Sequence, residues 1–337
     1  MTDMTKGALE ALLEAMGRAR IGLVGDLCLD MYWRADMRLS ELSRETPHFP
    51  LPVVEERVSP GGAGNVACNV AALEPASLAV LGVLGRDWRG DVLMDALRIR
   101  DIDASRLVRD EAACTNTYIK PLRAGISDVV YEDPRIDFEN RAPVSPATEA
   151  ALLDALERVA GEVDVLLVSD QMRFGCVTGA VRQRLCELGA AGLTVIVDSR
   201  DRVGLYRNVI VKPNEVEAAR AFSGGAPGAG DDFAALAAAA SGHTGRPAVV
   251  TAGSLGCFVA RDGGVTHVPG ERVAPPVDIV GAGDTFLAAL GCALAAGAPL
   301  EQAARAANLA SSVTIRKLGT TGTATRREIL DAWDGEC

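Results

Sequence analysis

The sequence of 337 residues lacks the features that mark several common functional classes. Its three histidines and eight cysteines include no CxxC pair, so no zinc-binding pattern is present. No apolar run reaches the roughly 18 residues of a membrane-spanning helix, and the N-terminus lacks the apolar core and cleavage site of a signal peptide. Lysine and arginine form no block and the net charge is −11, which makes nucleic acid and anionic membranes poor candidate partners.

Several catalytic motifs are absent as well. The sequence contains no GxxxxGK[ST], GxSxG or HExxH, so any phosphate site differs from a P-loop, and neither a serine-hydrolase elbow nor a zinc-protease helix is expected. The cysteines are scattered singly, which is typical of reduced, mostly buried thiols and predicts a cytoplasmic protein. Because the chain is acidic, local groups must hold any anionic substrate.

The order of apolar segments predicts an α/β fold. From Pro146 onward, helical segments alternate with short, continuously apolar strands, a pattern typical of a mainly parallel sheet covered by helices on both faces. Two stretches interrupt this pattern with mixed charges and short β-type segments, and we expect them to form a small β-sheet lid: 31–58 and 113–140. The α/β domain would comprise the remaining ranges: 1–30, 59–112 and 141–337.

Polar residues follow several of the predicted strands. Ligands of an open parallel sheet bind beyond the carboxyl ends of its strands, and these ends meet at one edge. The residues in question are Asp26, Asp30, Asp170, Asp198, Asn214 and Thr251. Their grouping favours a shared function, although a single aspartate after a strand is more often a turn or cap residue.

Residues 281–284 (GAGD) precede an apolar helical run that begins just after Thr285. Small residues ahead of a helix leave its first amide groups uncovered, and these groups attract an anion. Asp284 would place a carboxylate beside that anion. The alternative is a Gly-Ala-Gly turn in which Asp284 only caps the helix.

A second glycine cluster spans residues 61–65 (GGAGN). Residues 62–67 formally match the GxGxxA dinucleotide fingerprint, but a proline-containing segment precedes them where that fingerprint needs a first strand. The cluster then suits close backbone approach to a hydroxylated ligand, with Asn65 hydrogen-bonding to it. A tight turn with a helix cap is the alternative.

Two further segments follow strands. Asn214 and Glu217 have the spacing of a helix capping box, and they could equally hold a hydrated Mg²⁺ near phosphates. The hydroxyl of Thr251 and the amides near Gly253 suit phosphate oxygens, although their composition also fits a simple β-turn.

Together these motifs stand in the order found in the ribokinase-like (PfkB) sugar kinases, which the sequence resembles over roughly residues 20–334. Within that family it is most similar to the D-glycero-D-manno-heptose 7-phosphate kinases, through residues 25–33, 135–139, 307–308 and 317–320. Departures occur at 43–47 (SRETP for SPEAP), at 169–175 (SDQMRFG for SDYxKG) and at Val280, which replaces a threonine. They leave the exact sugar open.

The resemblance implies an α/β, ribokinase-like three-layer sandwich with a lid, and ATP-dependent phosphorylation of a sugar hydroxyl. Asp284 would act as base, and the amides of Gly281, Ala282 and Gly283 would stabilise the transferring phosphoryl group. The implied sugar ligands are Asp30, Gly61, Gly62 and Asn65, with Arg135 for the 7-phosphate. The implied nucleotide ligands are Asn214, Thr251, Gly253, Gly256 and Asn308. The implied Mg²⁺ ligands are Asn214 and Glu217. The implied ligand of a monovalent cation such as K⁺ is Asp278.

The implied reaction is transfer to C1 of the heptose 7-phosphate, giving the 1,7-bisphosphate used in lipopolysaccharide heptose synthesis. Another sugar or nucleoside as substrate, a non-catalytic sensor and, more distantly, an NAD enzyme are the alternatives. No second domain is seen after Trp333, so we expect no fused adenylyltransferase. Apolar lid residues could face a second subunit of a homodimer or cover the active site: Phe49, Leu51 and Val53.

Overall fold

The computed structural model describes residues 4–223, 232–319 and 321–333; Thr320 and Cys337 lie outside these ranges. The helices of the described residues are α1 (Lys6–Met16), α2 (Ala63–Ala72), α3 (Trp88–Arg98), α4 (Pro146–Ala160), α5 (Gly179–Ala190), α6 (Glu215–Phe222), α7 (Phe233–Thr244), α8 (Ala282–Ala295), α9 (Leu300–Thr314) and α10 (Arg326–Trp333). The strands are β1 (Arg20–Gly25), β2 (Leu27–Asp36), β3 (Val53–Gly62), β4 (Ser77–Leu81), β5 (Val83–Gly85), β6 (Val108–Asp110), β7 (Thr117–Ala124), β8 (Tyr131–Glu132), β9 (Ile136–Phe138), β10 (Val165–Asp170), β11 (Thr194–Ser199), β12 (Ile210–Val211), β13 (Ala248–Thr251), β14 (Gly256–Arg261) and β15 (Gly264–Pro269).

The central sheet has eight strands in the order β15-β14-β13-β12-β11-β10-β1-β4. All pairs from β13 to β4 are parallel, and only β14 and β15 run antiparallel at one edge. The predicted α/β fold with a mainly parallel sheet is therefore confirmed. Parallel strands need crossover connections, which the intervening helices supply.

The central strands bury side chains on both faces, which is what a three-layer arrangement requires. In β10, Val165 and Leu167 belong to one hydrophobic cluster, whereas Leu166 and Val168 belong to another. The first cluster includes α1, α2, α8 and α9, and the second includes α4 and α5. Alternate side chains of a strand point to opposite faces, so a continuous apolar run can fill two cores.

A second sheet lies apart from the first, with strand order β3-β2-β7-β8 and with β9 also paired to β7. It is built from the two stretches expected to form a lid, and β2 pairs with β7 in parallel. Its strands extend beyond those stretches, because β2 begins at Leu27 and β3 continues to Gly62. The second sheet therefore leads directly into α2, which carries Asn65. We call it the lid sheet.

None of the helices in residues 4–223, 232–319 and 321–333 is long and apolar enough to span a membrane.

Candidate active site

A cavity of about 720 Å³ opens at the carboxyl edge of the central sheet. Its walls come from the starts of α6 and α8, the end of β13 and the middle of α9. The structure brings together there all the residues expected to bind nucleotide or to act in catalysis, together with Glu217 of the expected Mg²⁺ site: Asn214, Glu217, Thr251, Gly253, Gly256, Gly281, Ala282, Gly283, Asp284 and Asn308. These residues come from separate elements of the chain, so the sheet topology alone gathers them.

The start of α8 lies in the cavity wall without a side-chain cap. Gly281 adopts the left-handed conformation with φ +83°, and a Cβ there would lie 2.7 Å from Nδ2 of Asn65. The amide of Ala282 donates to the carbonyl of Ile279 at 3.2 Å, whereas the Gly283 amide finds no acceptor among the described residues. Of the three amides expected to meet a phosphoryl group, the Ala282 amide is thus already bonded within the protein.

Asp284 lies half-buried in the first turn of α8. Burial raises the pKa of its carboxyl group to about 7, and nearby Asp198 and Asp30 act in the same direction. Two groups oppose the shift: Asn65, whose Nδ2 donates to Oδ2 of Asp284 at 2.7 Å, and the ammonium of Lys212. A carboxylate with a pKa near neutrality is suited to accept a proton during a reaction.

Asn65 is itself held by a buried chain of polar groups between α2 and α8. Asn69 donates from Nδ2 to the carbonyl of Asn65 at 3.0 Å, and Thr285 donates its hydroxyl proton to Oδ1 of Asn69 at 2.9 Å. Asn69 and Thr285 are buried, so these bonds restrict the orientation of the Asn65 amide. The sequence contained no signal for this network, since Asn69 and Thr285 lie far apart in the chain.

Lys212 and Asp198 are functional candidates whose pairing the sequence did not reveal. Both line the cavity and are buried, with Nζ of Lys212 3.0 Å from Oδ2 of Asp198. Burial lowers the pKa of Lys212, whereas the charges of Asp198, Glu217 and Asp284 raise it. The acids have the larger combined effect, so the pKa of Lys212 lies above the usual lysine value. A Cβ on Gly283 would lie 3.8 Å from Nζ, so this positive charge sits beside the start of α8.

Asn214 and Glu217 form the complete capping box that their spacing predicted. The Glu217 amide donates to Oδ1 of Asn214 at 2.8 Å, and the Asn214 amide donates to Oε2 of Glu217 at 2.9 Å. Both residues also line the cavity, and burial, with Asp198, raises the pKa of Glu217 to about 6. Capping therefore does not remove Glu217 from the candidate site.

These residues fit Mg²⁺ in the manner expected for a nucleotide site. Across the described ranges, no three acidic, histidine or cysteine side chains converge as a metal cage. Mg²⁺ retains several water ligands and is usually bound by one or two carboxylates together with substrate phosphates. Glu217, with Asn214 beside it, supplies that kind of partial ligand set.

The remaining nucleotide candidates line the same cavity in different ways. Gly253 and Gly256 have positive φ, and only Gly256 is crowded, because a Cβ there would lie 2.3 Å from the Val268 carbonyl oxygen. Asn308 is buried and donates from Nδ2 to the carbonyls of Val268 and Pro269, each at 3.1 Å. Asn308 therefore also joins α9 to β15.

The residues expected to bind sugar lie beside this cavity, connected to it through Asn65. Asp30 pairs with Ser59 across β2 and β3, and a Cβ on Gly61 would lie 2.4 Å from Oδ2 of Asp30. Gly62 has φ +56°, and a Cβ there would lie 2.4 Å from the Asp26 carbonyl oxygen. Both glycines allow close packing that any larger residue would prevent.

Arg135 belongs to the lid sheet region and is engaged by an acid. Its Nε and Nη2 donate to the two carboxylate oxygens of Asp137, each at 2.6 Å, and its guanidinium lies 4.5 Å from the ring centre of Tyr118. The charge of Arg135 nevertheless lowers the pKa of Asp30, so Arg135 lies near the residues expected to bind the sugar.

Three other aspartates of the sequence analysis have structural partners. Asp26 accepts hydrogen bonds from the amides of Gln171, Met172 and Cys176. Asp170 accepts from Arg202, Ser199 and Tyr206. Asp278 accepts from the amides of Val280 at 3.1 Å and Gly319 at 3.0 Å. Asp26 and Asp170 thus stabilise the loops at the sheet edge, which is the turn role that single aspartates often have.

A family comparison matches residues 30–326 to the pfkB family carbohydrate kinases. Among curated proteins, the chain is 34% identical to the bifunctional protein HldE of Rhodopseudomonas palustris (strain BisB18) over 330 residues, which cover 95% of this chain and 65% of that protein. The chain thus spans just under two thirds of the length of the relatives it matches.

Two solved structures have the same fold at low identity. The Arabidopsis thaliana ribokinase complexed with ribose and ATP is 20% identical with a TM-score of 0.68, over 94% of this chain and 98% of that one. The Escherichia coli phosphofructokinase-2 in complex with potassium is 21% identical with a TM-score of 0.67, over 94% and 99%. The ribokinase-like architecture expected from the sequence is confirmed by these likenesses.

Proposed function

The chain belongs to the pfkB family of carbohydrate kinases, and on that premise we propose that it transfers the γ-phosphoryl group of ATP to C1 of D-glycero-D-manno-heptose 7-phosphate. The product would be the 1,7-bisphosphate. The family establishes a sugar kinase, a phosphotransferase with an alcohol acceptor. The heptose rests on the resemblance of residues 25–33 and 135–139 and on the likeness to HldE proteins.

The observation that carries the proposal is the environment of Asp284. Its carboxylate has a pKa of about 7, lies at the uncapped start of α8, and is oriented by Asn65. In the proposed reaction the sugar hydroxyl loses its proton to Asp284 while its oxygen attacks the γ-phosphorus, and the bond from that phosphorus to the β–γ bridging oxygen breaks, so that ADP leaves. The Gly283 amide and the Lys212 ammonium stabilise the negative charge of the transferring group. Phosphoryl transfer depends mainly on such positioning and electrostatics.

The 720 Å³ cavity beside Asp284 would hold the nucleotide. We assign Asn214, Thr251, Gly253, Gly256 and Asn308 to ATP, whose phosphates would then lie toward α8. Asn214 and Glu217 would hold Mg²⁺, which neutralises charge on the phosphates when bound. Asp278, which accepts a hydrogen bond from the Gly319 amide, would serve a monovalent cation such as K⁺.

The sugar would lie between Asp284 and the lid sheet. Asp30 and Asn65 would hydrogen-bond to its hydroxyl groups, the backbone at Gly61 and Gly62 would contact it closely, and Arg135 would meet the 7-phosphate. A closed lid sheet would exclude water, which limits hydrolysis of ATP.

Other substrates of the same class remain the alternatives: ribose, a hexose, a keto-deoxy sugar acid or a nucleoside. Coupled measurement of ADP release with each of these and with heptose 7-phosphate separates the candidates. We expect the highest kcat/KM for heptose 7-phosphate; a higher value for a free sugar would overturn that choice. Tight sugar binding without turnover of any substrate would instead indicate a non-catalytic sensor.

We further propose that the enzyme works in the cytoplasm and forms a homodimer through the lid sheet. Phe49, Leu51 and Val53 are exposed in the single chain, and a second subunit would cover them. Light scattering of the purified protein and of a Phe49→Ser variant tests the dimer, since a monomeric wild type would contradict it.

A further inference from the structure

One face of the lid sheet carries an unusual concentration of charged and aromatic side chains. Paired residues on neighbouring strands share a face, and alternate residues along each strand return to it. Asp30 pairs with Ser59 and Tyr118, and Tyr32 pairs with Arg57 and Lys120. Tyr118 also pairs with Asp137 of β9. We call this surface the inner face of the lid sheet: Asp30, Tyr32, Arg57, Ser59, Tyr118, Lys120 and Asp137, with Arg135 beside them.

The inner face is the side of the lid sheet that the sugar would meet. The opposite side of β2 and β7 is buried in the protein, at Leu29, Met31 and Ile119. Asp30 of the inner face acts electrostatically on Asp284. At the other end, Nη2 of Arg57 donates to the carbonyl of Gly319 at 2.5 Å, so this face also contacts the loop that follows α9.

Besides Lys120, the cations on or beside the inner face include Arg57 and Arg135, and both already have partners. Arg135 is bound by both carboxylate oxygens of Asp137. Arg57 donates to Gly319 and lies 4.5 Å from the ring centre of Tyr32. Both guanidinium groups are therefore held in place before any ligand binds.

Lys120 differs from these two cations. Its Nζ donates to the hydroxyl oxygen of Tyr32 at 3.2 Å and lies 4.9 Å from the centre of that ring, and among the described residues no carboxylate forms an ion pair with it. Its side chain is half-buried against the sheet, so its charge has less water around it than a surface lysine. An ammonium group in this setting retains donors for an anionic ligand.

Lys120 and Asp30 lie diagonally across β2 and β7, two residues apart in register. The spacing of adjacent strands and the rise along two residues place the Cα atoms of such diagonal neighbours about 8 Å apart, a distance that a sugar ring with an exocyclic chain can span. Burial raises the pKa of Asp30. The positive charges of Lys120 and Arg135 oppose this shift, and Lys120 has the larger effect. The two groups thus form one acidic and one basic contact on the same face.

We infer that Lys120 is a specificity-determining residue that binds the phosphate of a sugar phosphate whose hydroxyl groups meet Asp30. The inference rests on the proposed function and deepens it, because it requires a phosphorylated substrate. Arg135, whose guanidinium is bound by Asp137, would then be a second contact for the same phosphate and would also orient Tyr118. The Tyr32 hydroxyl accepts one hydrogen bond from the Lys120 ammonium group. The remaining N–H donors of Lys120 are then available for phosphate oxygens.

The test compares Lys120→Met, Lys120→Arg and a control, Arg123→Met, with heptose 7-phosphate and with unphosphorylated heptose. Arg123 lies on the same strand, is exposed and pairs with Asp133 at 2.7 Å, and its register places it on the opposite face. For Lys120→Met we expect KM for the sugar phosphate to rise about 10- to 100-fold, as for loss of a hydrogen bond between charged groups. KM for ATP and kcat should change less than about threefold, since Lys120 is not among the residues that line the cavity proposed for the nucleotide.

Further outcomes sharpen the result. Lys120→Arg should recover most of the affinity and Arg123→Met should behave as wild type. Lys120→Met should lower kcat/KM much less for free heptose than for the sugar phosphate, because Lys120 reaches the free sugar only through its effect on Asp30. If the wild type uses heptose 7-phosphate and Lys120→Met leaves its KM unchanged, the inference is wrong while the proposed function stands. A wild type that prefers free heptose over the phosphate would overturn the sugar-phosphate assignment together with the role of Lys120.

Discussion

Nδ2 of Asn65 lies 2.7 Å from Oδ2 of Asp284, although 219 positions separate the two residues in the chain. The bond joins the glycine-rich start of α2 to that of α8. It stabilises the ionised form of a carboxylate whose pKa burial has raised to about 7. This contact should therefore contribute to setting the pH at which the enzyme becomes active.

Asn65→Ala should move the acid limb of the pH–kcat/KM profile to higher pH. Without the amide donor, only Lys212 remains to oppose the effect of burial, so the pKa of Asp284 rises further. A hydrogen bond to a charged group contributes about 1.5–3 kcal/mol, which corresponds to a shift of about one to two pH units. Initial rates between pH 5.5 and 9 measure it. An unchanged acid limb would mean that Asp284 is not the titrating base.

Asp284→Asn should fold, bind ATP and lose at least about 100-fold in kcat, because general-base catalysis normally contributes that much. Asparagine retains an oxygen that can accept from Asn65, so the geometry is preserved. A coupled assay and calorimetric ATP binding measure the two properties. A variant that keeps more than about a tenth of the wild-type rate would contradict the general-base role.

The same variant should be more stable than the wild type at high pH. The pKa of Asp284 is raised from 3.8 to about 7 in the folded protein, so folding favours its protonated form. This contribution is fully present below pH 4 and is lost as the pH rises through about 7. We expect the Tm advantage of Asp284→Asn to be small at pH 4.5 and larger at pH 8, in melts without ligand. An equal Tm difference at both pH values would argue against the raised pKa.

Gly281→Ala should reduce activity through a steric effect on Asn65. Gly281 has φ +83°, and an added Cβ would lie 2.7 Å from Nδ2 of Asn65. Gly245→Ala is a matched control, because Gly245 has φ +71° and nothing lies within 4 Å of its Cβ position. Both substitutions should cost roughly 1–2 kcal/mol in stability from backbone strain. Only Gly281→Ala should also lower kcat/KM, and equal rates for the two variants would refute the steric argument.

Glu217→Gln should weaken Mg²⁺ activation without unfolding α6. Glutamine can still accept from the Asn214 amide and complete the capping box, but it lacks the charge that attracts the cation. We expect the Mg²⁺ concentration for half-maximal rate to rise about 10- to 100-fold. Melting without Mg²⁺ is the control and should show little change. An unaltered Mg²⁺ dependence would remove Glu217 from the metal site.

Lys212→Met should destabilise the fold as well as slow the reaction. It leaves Asp198 buried without its cation, and breaking a buried pair typically costs about 3–5 kcal/mol. The double variant Lys212→Met/Asp198→Asn should recover most of this stability in urea unfolding but not the rate. A double variant as active as the wild type would show that Lys212 has no role in phosphoryl transfer.

The local motifs of the site were readable in the sequence because each has a local physical signature. An apolar helix predicted near residues 281–284, a capping box at Asn214 and Glu217, and alternating apolar segments all depend on neighbours within a few positions; the helix itself begins at Ala282, earlier than the apolar run after Thr285 indicated. The mainly parallel sheet follows from the same alternation, because buried strands between helices have few other arrangements.

The tertiary structure alone decided which polar residues share a site. Asp26, Asp170 and Asp198 each lie at or near the end of a strand, yet the first two stabilise loops, and of the three only Asp198 pairs with a buried lysine in the cavity. Residues from distant segments also meet in the hydrogen-bonded series Thr285–Asn69–Asn65–Asp284 and on the inner face of the lid sheet. Helix and strand periods act over short distances, whereas pKa values and ion pairs depend on burial and on distances between atoms that only the folded chain defines.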